Sequence, residues 1–171
     1  MASPADINLI CNYGAGETET DITGTGIDFI TADNCTNTSG NRTSNPITIP
    51  SAGFNYSYEK WLKFQCGSTE PDTQVTNFQF WGGGSEPEAT VVIDYYRVTN
   101  TYVQPALTTS KAVPSYTTVT DATAGNKQAI SGTLNTSGEA TQYLVMTLEV
   151  STAASQGNMG QQTYNYSYDE N

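Results

Sequence analysis

Histidine is absent from the 171 residues, and its absence removes much of ordinary side-chain chemistry. Without imidazole there is no Ser-His-Asp or Cys-His relay, no His-ligated zinc and no usual general base near neutral pH. The three cysteines, Cys11, Cys35 and Cys66, are odd in number and lack CxxC spacing, so neither metal ligation nor a complete disulfide framework is supported. Buried reduced thiols are the expectation, with one pair able to bridge in an oxidising environment. Paired carboxylates could still run glycoside hydrolysis. The candidates Glu86, Glu88 and Asp94 stand in or beside a turn, where acids are ordinarily solvated, and no catalytic residue is assigned. In "DITGTGIDFITADN", Asp21, Asp28 and Asp33 offer carboxylates of the kind calcium takes, but the EF-hand spacing is missing. "GAGETE" lacks the lysine of a phosphate-binding loop, and its acids would repel phosphate. The expectation is a protein that is not an enzyme and holds no metal or cofactor.

The remaining candidates are aromatic. Trp61, Trp81, Tyr116, Tyr164, Tyr166 and Tyr168 are the side chains expected at an interface or beneath a stacked ligand. Aromatic rings bury much area and also stack on the apolar CH faces of sugars. "FQFWGGG" puts Trp81 at a strand end beside glycines. "TYNYSYDEN" puts three tyrosines on one face of the last eight residues. Subunit packing and sugar stacking are both open to these residues, and so is simple core packing.

The elements that position them read as strands. The chain carries 27 Thr and 14 Asn, and charged residues are only 13%. Thr favours pleated, half-buried surfaces and Asn favours turns. "FNYSYEKWLKFQC" (54–66) reads as one long strand that alternates twice with a slip between. Phe54, Tyr56 and Tyr58 share a face, Leu62, Phe64 and Cys66 keep that parity, and Trp61 and Lys63 point the other way. Further strands are expected in 73–84, 89–103, 127–134, 141–150 and 161–170, with a loop-rich crossing over 104–126. Six to eight strands at such spacing predict an all-β fold, an antiparallel β-sandwich of jelly-roll or Greek-key type spanning 51–171. Residues 1–50, rich in Gly, Thr and Asn, are expected to form an N-terminal arm or a small irregular β subdomain, with a short strand near 6–12.

Charge narrows the partners. The net charge is −11, and six acids precede the first base, Arg42. Such a chain repels phosphate backbones and anionic membrane surfaces, so neither nucleic acid nor membrane is expected as a partner. No apolar run reaches the roughly 18 residues of a membrane span. The opening "MASPADINLIC" has no basic region leading into an apolar one. Cytosolic synthesis, or a leader already removed, is the expectation.

Three stretches carry a resemblance: "YEKWLKFQCGSTEPDTQVTNFQFWGGG", "TYVQPALTTSKAV" and "YLVMTLEVSTAASQGNMGQQTYNYSYDE". Over roughly residues 54–171 the chain resembles small virion proteins of tailed bacteriophages, the capsid decoration (cement) proteins and related head-fibre proteins. The resemblance implies a jelly-roll-like domain on the exterior of an icosahedral capsid, commonly a homotrimer. It also implies that the partners are the major capsid protein and further copies of the chain. The alternative expectation is a carbohydrate-binding module or adhesin tip, in which exposed aromatics hold a glycan.

Overall fold

The structure is a computed structural model and describes residues 6–83, 91–112, 115–119, 127–157 and 162–171. The described chain is an all-β antiparallel sandwich with one short helix, as the Thr-rich, alternating sequence predicts. Its strands are β1 (Ile7–Tyr13), β2 (Thr18–Asp21), β3 (Phe54–Tyr56), β4 (Lys60–Cys66), β5 (Val75–Gly82), β6 (Val92–Thr99), β7 (Thr117–Thr118), β8 (Gln128–Ile130), β9 (Tyr143–Ser151) and β10 (Tyr164–Glu170). The helix α1 (Ser39–Ser44) starts at Thr38, whose side chain accepts from the Asn41 amide. One sheet has seven strands in the order β2-β1-β4-β9-β6-β7, with β3 also paired to β9. The other has three, in the order β10-β5-β8.

The core lies between the two sheets. Leu62, Phe64 and Cys66 of β4 and Leu144 and Met146 of β9 face Phe78 and Phe80 of β5 and Ile130 of β8. The alternation in "TNFQFW" is realised as read: Phe78 and Phe80 point inward and Trp81 points away.

The reading of 54–66 as one continuous strand is corrected. Phe54 pairs with Ser151 and Tyr56 with Glu149, whereas Lys60 pairs with Met146 and Leu62 with Leu144. Three residues between Tyr56 and Lys60 therefore oppose two between Glu149 and Met146, and the extra residue reverses the faces. Phe54 and Tyr56 lie on the outer face with Glu149, while Leu62 and Phe64 face the core, despite their shared parity. Ser57 makes the break. Its Oγ accepts from the Leu148 amide at 3.0 Å and donates to the Tyr58 carbonyl at 2.9 Å, so a side chain does the work of the backbone ladder.

The N-terminal segment is woven into the sandwich rather than standing apart as an arm. β1 pairs with β4 from Ile7–Cys66 to Asn12–Trp61, and Ile7, Cys11, Ile22 and Cys35 belong to the main core. Cys11 and Cys35 form a disulfide with a Cα separation of 5.8 Å. The bridge is the one pair the sequence left open against the default of reduced thiols, and Cys66 is free and buried. The linked loop also caps an inward lysine. Lys60 is 1% exposed, and its Nζ donates to the carbonyls of Ala32 (3.3 Å) and Asn34 (2.6 Å). Burial pulls its pKa down to about 8 against the opposing fields of Asp33 and Asp28.

Candidate functional site

Trp61 and Tyr116 come together on the outer face of the seven-stranded sheet. Trp61 sits on β4 opposite Asn12, and Tyr116 immediately precedes β7. Between them lies the Arg97 guanidinium, 4.9 Å from the Trp61 ring and 5.5 Å from the Tyr116 ring. Glu59 accepts from all three: Arg97 Nη2 at 3.0 Å, Tyr116 Oη at 2.5 Å and Trp61 Nε1 at 2.9 Å. Burial and the Glu59 carboxylate push the Tyr116 phenol well above its ordinary range. Trp61 is 1% exposed, so it offers no ring face to a ligand and is a packing residue of this chain. Its period-2 position predicts an outward ring, and the ring does point outward from the core. Tyr102, just beyond β6, then packs over it, meeting its edge at 5.2 Å.

The rest of that face is a second, polar layer of packing. Towards β3, Glu149 accepts from Tyr56 (2.6 Å), Tyr95 (3.3 Å) and Lys111 (3.1 Å). Tyr95 and Glu149 hold the Lys111 ammonium up to about 12, and burial and Glu149 raise Tyr56 to about 12. Towards β2, Lys63 donates to Glu19 at 2.5 Å, and Tyr143 donates to Glu17. The buried charges are thus paired and hydrogen-bonded, as burial demands. Carboxylates engaged in this way are poorly placed as acids or nucleophiles.

Trp81 and the C-terminal tyrosines belong to the smaller sheet. Trp81 is half-buried, and Lys127 Nζ stands 4.2 Å from the centre of its ring. Tyr164, Tyr166 and Tyr168 line β10, which pairs only with β5 among the described strands. Tyr164 stacks on Phe80 at 5.6 Å and donates to the buried carboxylate of Asp94 on the facing sheet. Tyr166 lies 4.9 Å from Phe64, Tyr168 lies 5.7 Å from Phe78, and Tyr166 remains 40% exposed. The three rings therefore close the open side of the core, and Tyr166 also presents a surface to solvent.

The acids divide. Asp28 pairs with Arg42 at 2.8 Å and accepts from the Thr38 amide, and Asp33 accepts from the Gly14 amide. Asp21 accepts from the Thr23 amide, which makes it a turn residue. No group of three or more metal-ligating side chains comes together among the described residues. Asp94 is 1% exposed, not solvated as its sequence neighbourhood implies; it sits on β6, inside the sandwich. Glu86 and Glu88 lie outside the described residues. The sequence places Phe54 on a strand face but not among the candidate site residues; at 51% exposure it is among the most open large apolar side chains, and it follows Gly53, whose φ is +71°.

Among the described residues no helix is long and apolar enough to cross a membrane. No protein-family model matches the chain, and no curated protein or solved structure is significantly similar to it.

Proposed function

We propose that the chain is a structural virion protein that decorates the exterior of an icosahedral phage capsid, acting through protein–protein interfaces with the major capsid protein and with its own copies as a homotrimer. The observation that carries the reading is the edge of the smaller sheet. Among the described strands β10 is a terminal strand with one paired side, lined by three tyrosines, of which Tyr166 is 40% exposed. A strand edge with half-open aromatics is a template for another chain, and Tyr is enriched where interfaces bury most. The polar layer supports the same reading, since its ionic side chains serve internal packing rather than a reactive centre. The strongly acidic surface, at net −11, keeps free copies apart until a complementary surface is met.

The reading is tested on particles. Gradient-purified virions from the producing host should contain the chain at a fixed ratio to the major capsid protein, measured by quantitative mass spectrometry. Tyr166→Ser should lower that ratio. A chain absent from every particle fraction would overturn the proposal.

A further inference from the structure

We infer that a cleft on the other sheet, walled by Phe54, is a binding site for a neutral saccharide. The cleft has a volume of about 340 Å³, at the small end of ligand sites and large enough for a terminal sugar. It is lined by Thr48 of the N-terminal loop, by β3 from Phe54 to Tyr56, and by Leu107 and Thr108 beyond β6.

Its chemistry selects the ligand class. Phe54 is 51% and Leu107 44% exposed, which gives an apolar platform for the CH face of a sugar ring. The Lys111 ammonium stands 5.3 Å from the centre of the Phe54 ring, and its charge is neutralised by Glu149 at 3.1 Å. The Tyr56 hydroxyl is also committed to Glu149. The charged groups beside the cleft are therefore spent on one another, and what remains for a ligand is hydroxyl and amide. Asn55 Nδ2 donates to the Thr48 carbonyl (2.7 Å) and to Thr48 Oγ1 (3.1 Å), which fixes strand against loop and leaves the Asn55 carbonyl oxygen as an acceptor.

Thr108 supplies an independent observation. It is 9% exposed, and its Oγ1 is buried with no hydrogen-bond partner among the described residues. An unpaired buried hydroxyl costs stability in the free protein; Thr108 lines the cleft, and a rotation about its χ1 that turned Oγ1 into the cleft would let a sugar hydroxyl satisfy it. A net charge of −11 disfavours acidic glycans, so the ligand is neutral. The site differs from the sugar platform expected at Trp81, which stands on β5 of the smaller sheet.

The test uses a printed array carrying neutral oligosaccharides (glucans, mannans, galactans and N-acetylchitooligosaccharides) beside sialylated and sulfated ones. The chain should retain neutral glycans and not acidic ones. Phe54→Ala and Thr108→Val should each weaken binding of the best neutral glycan about tenfold in titration calorimetry. Thr108→Val should melt no lower than the parent chain, because it deletes an unpaired hydroxyl, so its lost binding cannot be ascribed to unfolding. A blank array, a preference for acidic glycans, or binding unchanged in both variants would overturn the inference. So would a fall in oligomer mass in Phe54→Ala, which would assign the cleft to a second copy of the chain. Both variants should still load onto particles like the parent chain, so failure here is distinct from failure of the virion reading.

Discussion

Asp94 shows how much of this protein is decided by single buried groups. Burial lifts its carboxyl to about 6, against the lowering effect of the bond from Tyr164. The folded state thus holds this proton more tightly than the unfolded chain, whose value is 3.8. Stability from this group is highest below about pH 4, falls as pH rises towards 6, and its deficit is complete above that. Two units correspond to at most about 3 kcal/mol. Asp94→Asn keeps an acceptor for Tyr164 and removes the charge. It should gain about 1–3 kcal/mol at pH 7.5 and almost nothing at pH 3.5, read as the difference between urea midpoints of the two proteins. An equal difference at both pH values would show that ionisation is not the cause. The Trp61–Arg97–Tyr116 stack is the other residue-scale result. The sequence marks these aromatics as special by type, but no local signal says that Glu59 will gather all three polar tips.

At the scale of elements, the N-terminal fifty residues depend on one covalent tie. The Cys11–Cys35 bridge joins β1 to the loop that caps Lys60, across a sequence separation of 24. Closing a loop of that length is worth about 3–4 kcal/mol through the unfolded chain. Cys11→Ala with Cys35→Ala should lower the urea-derived stability by roughly that amount, and a loss under about 1 kcal/mol would contradict a stabilising role. The strands themselves were largely legible, because period-2 patterns such as Phe78 and Phe80 against Trp81 are local. What escaped was non-local. The Ser57 bulge depends on the backbone of β9, and it turned Phe54 and Tyr56 to the opposite face from Leu62. The pairing of β1 with β4 spans some fifty residues, and Gly- and Thr-rich texture gives no hint of it. Trp61 is packed over by Tyr102 from beyond β6, a contact its own strand cannot encode. The terminal tyrosines were legible as a shared face, whereas their split between core and solvent required the facing sheet.

At the scale of the whole molecule, two sheets of unequal width put β10 at the edge of the smaller one among the described strands, and Tyr166 stands on it half out of the core. If that edge is a seam between copies, association must work against the repulsion of chains carrying −11 each. Raising salt should therefore strengthen it. The most direct measurement is the mass in solution by size-exclusion chromatography with multi-angle light scattering, at low and physiological salt, for the parent chain and for Tyr166→Ser. The parent should show three times the 18.4 kDa chain mass, favoured by salt, and the variant a shift towards 18.4 kDa. A parent chain that stays at 18.4 kDa at every concentration and salt level would contradict it.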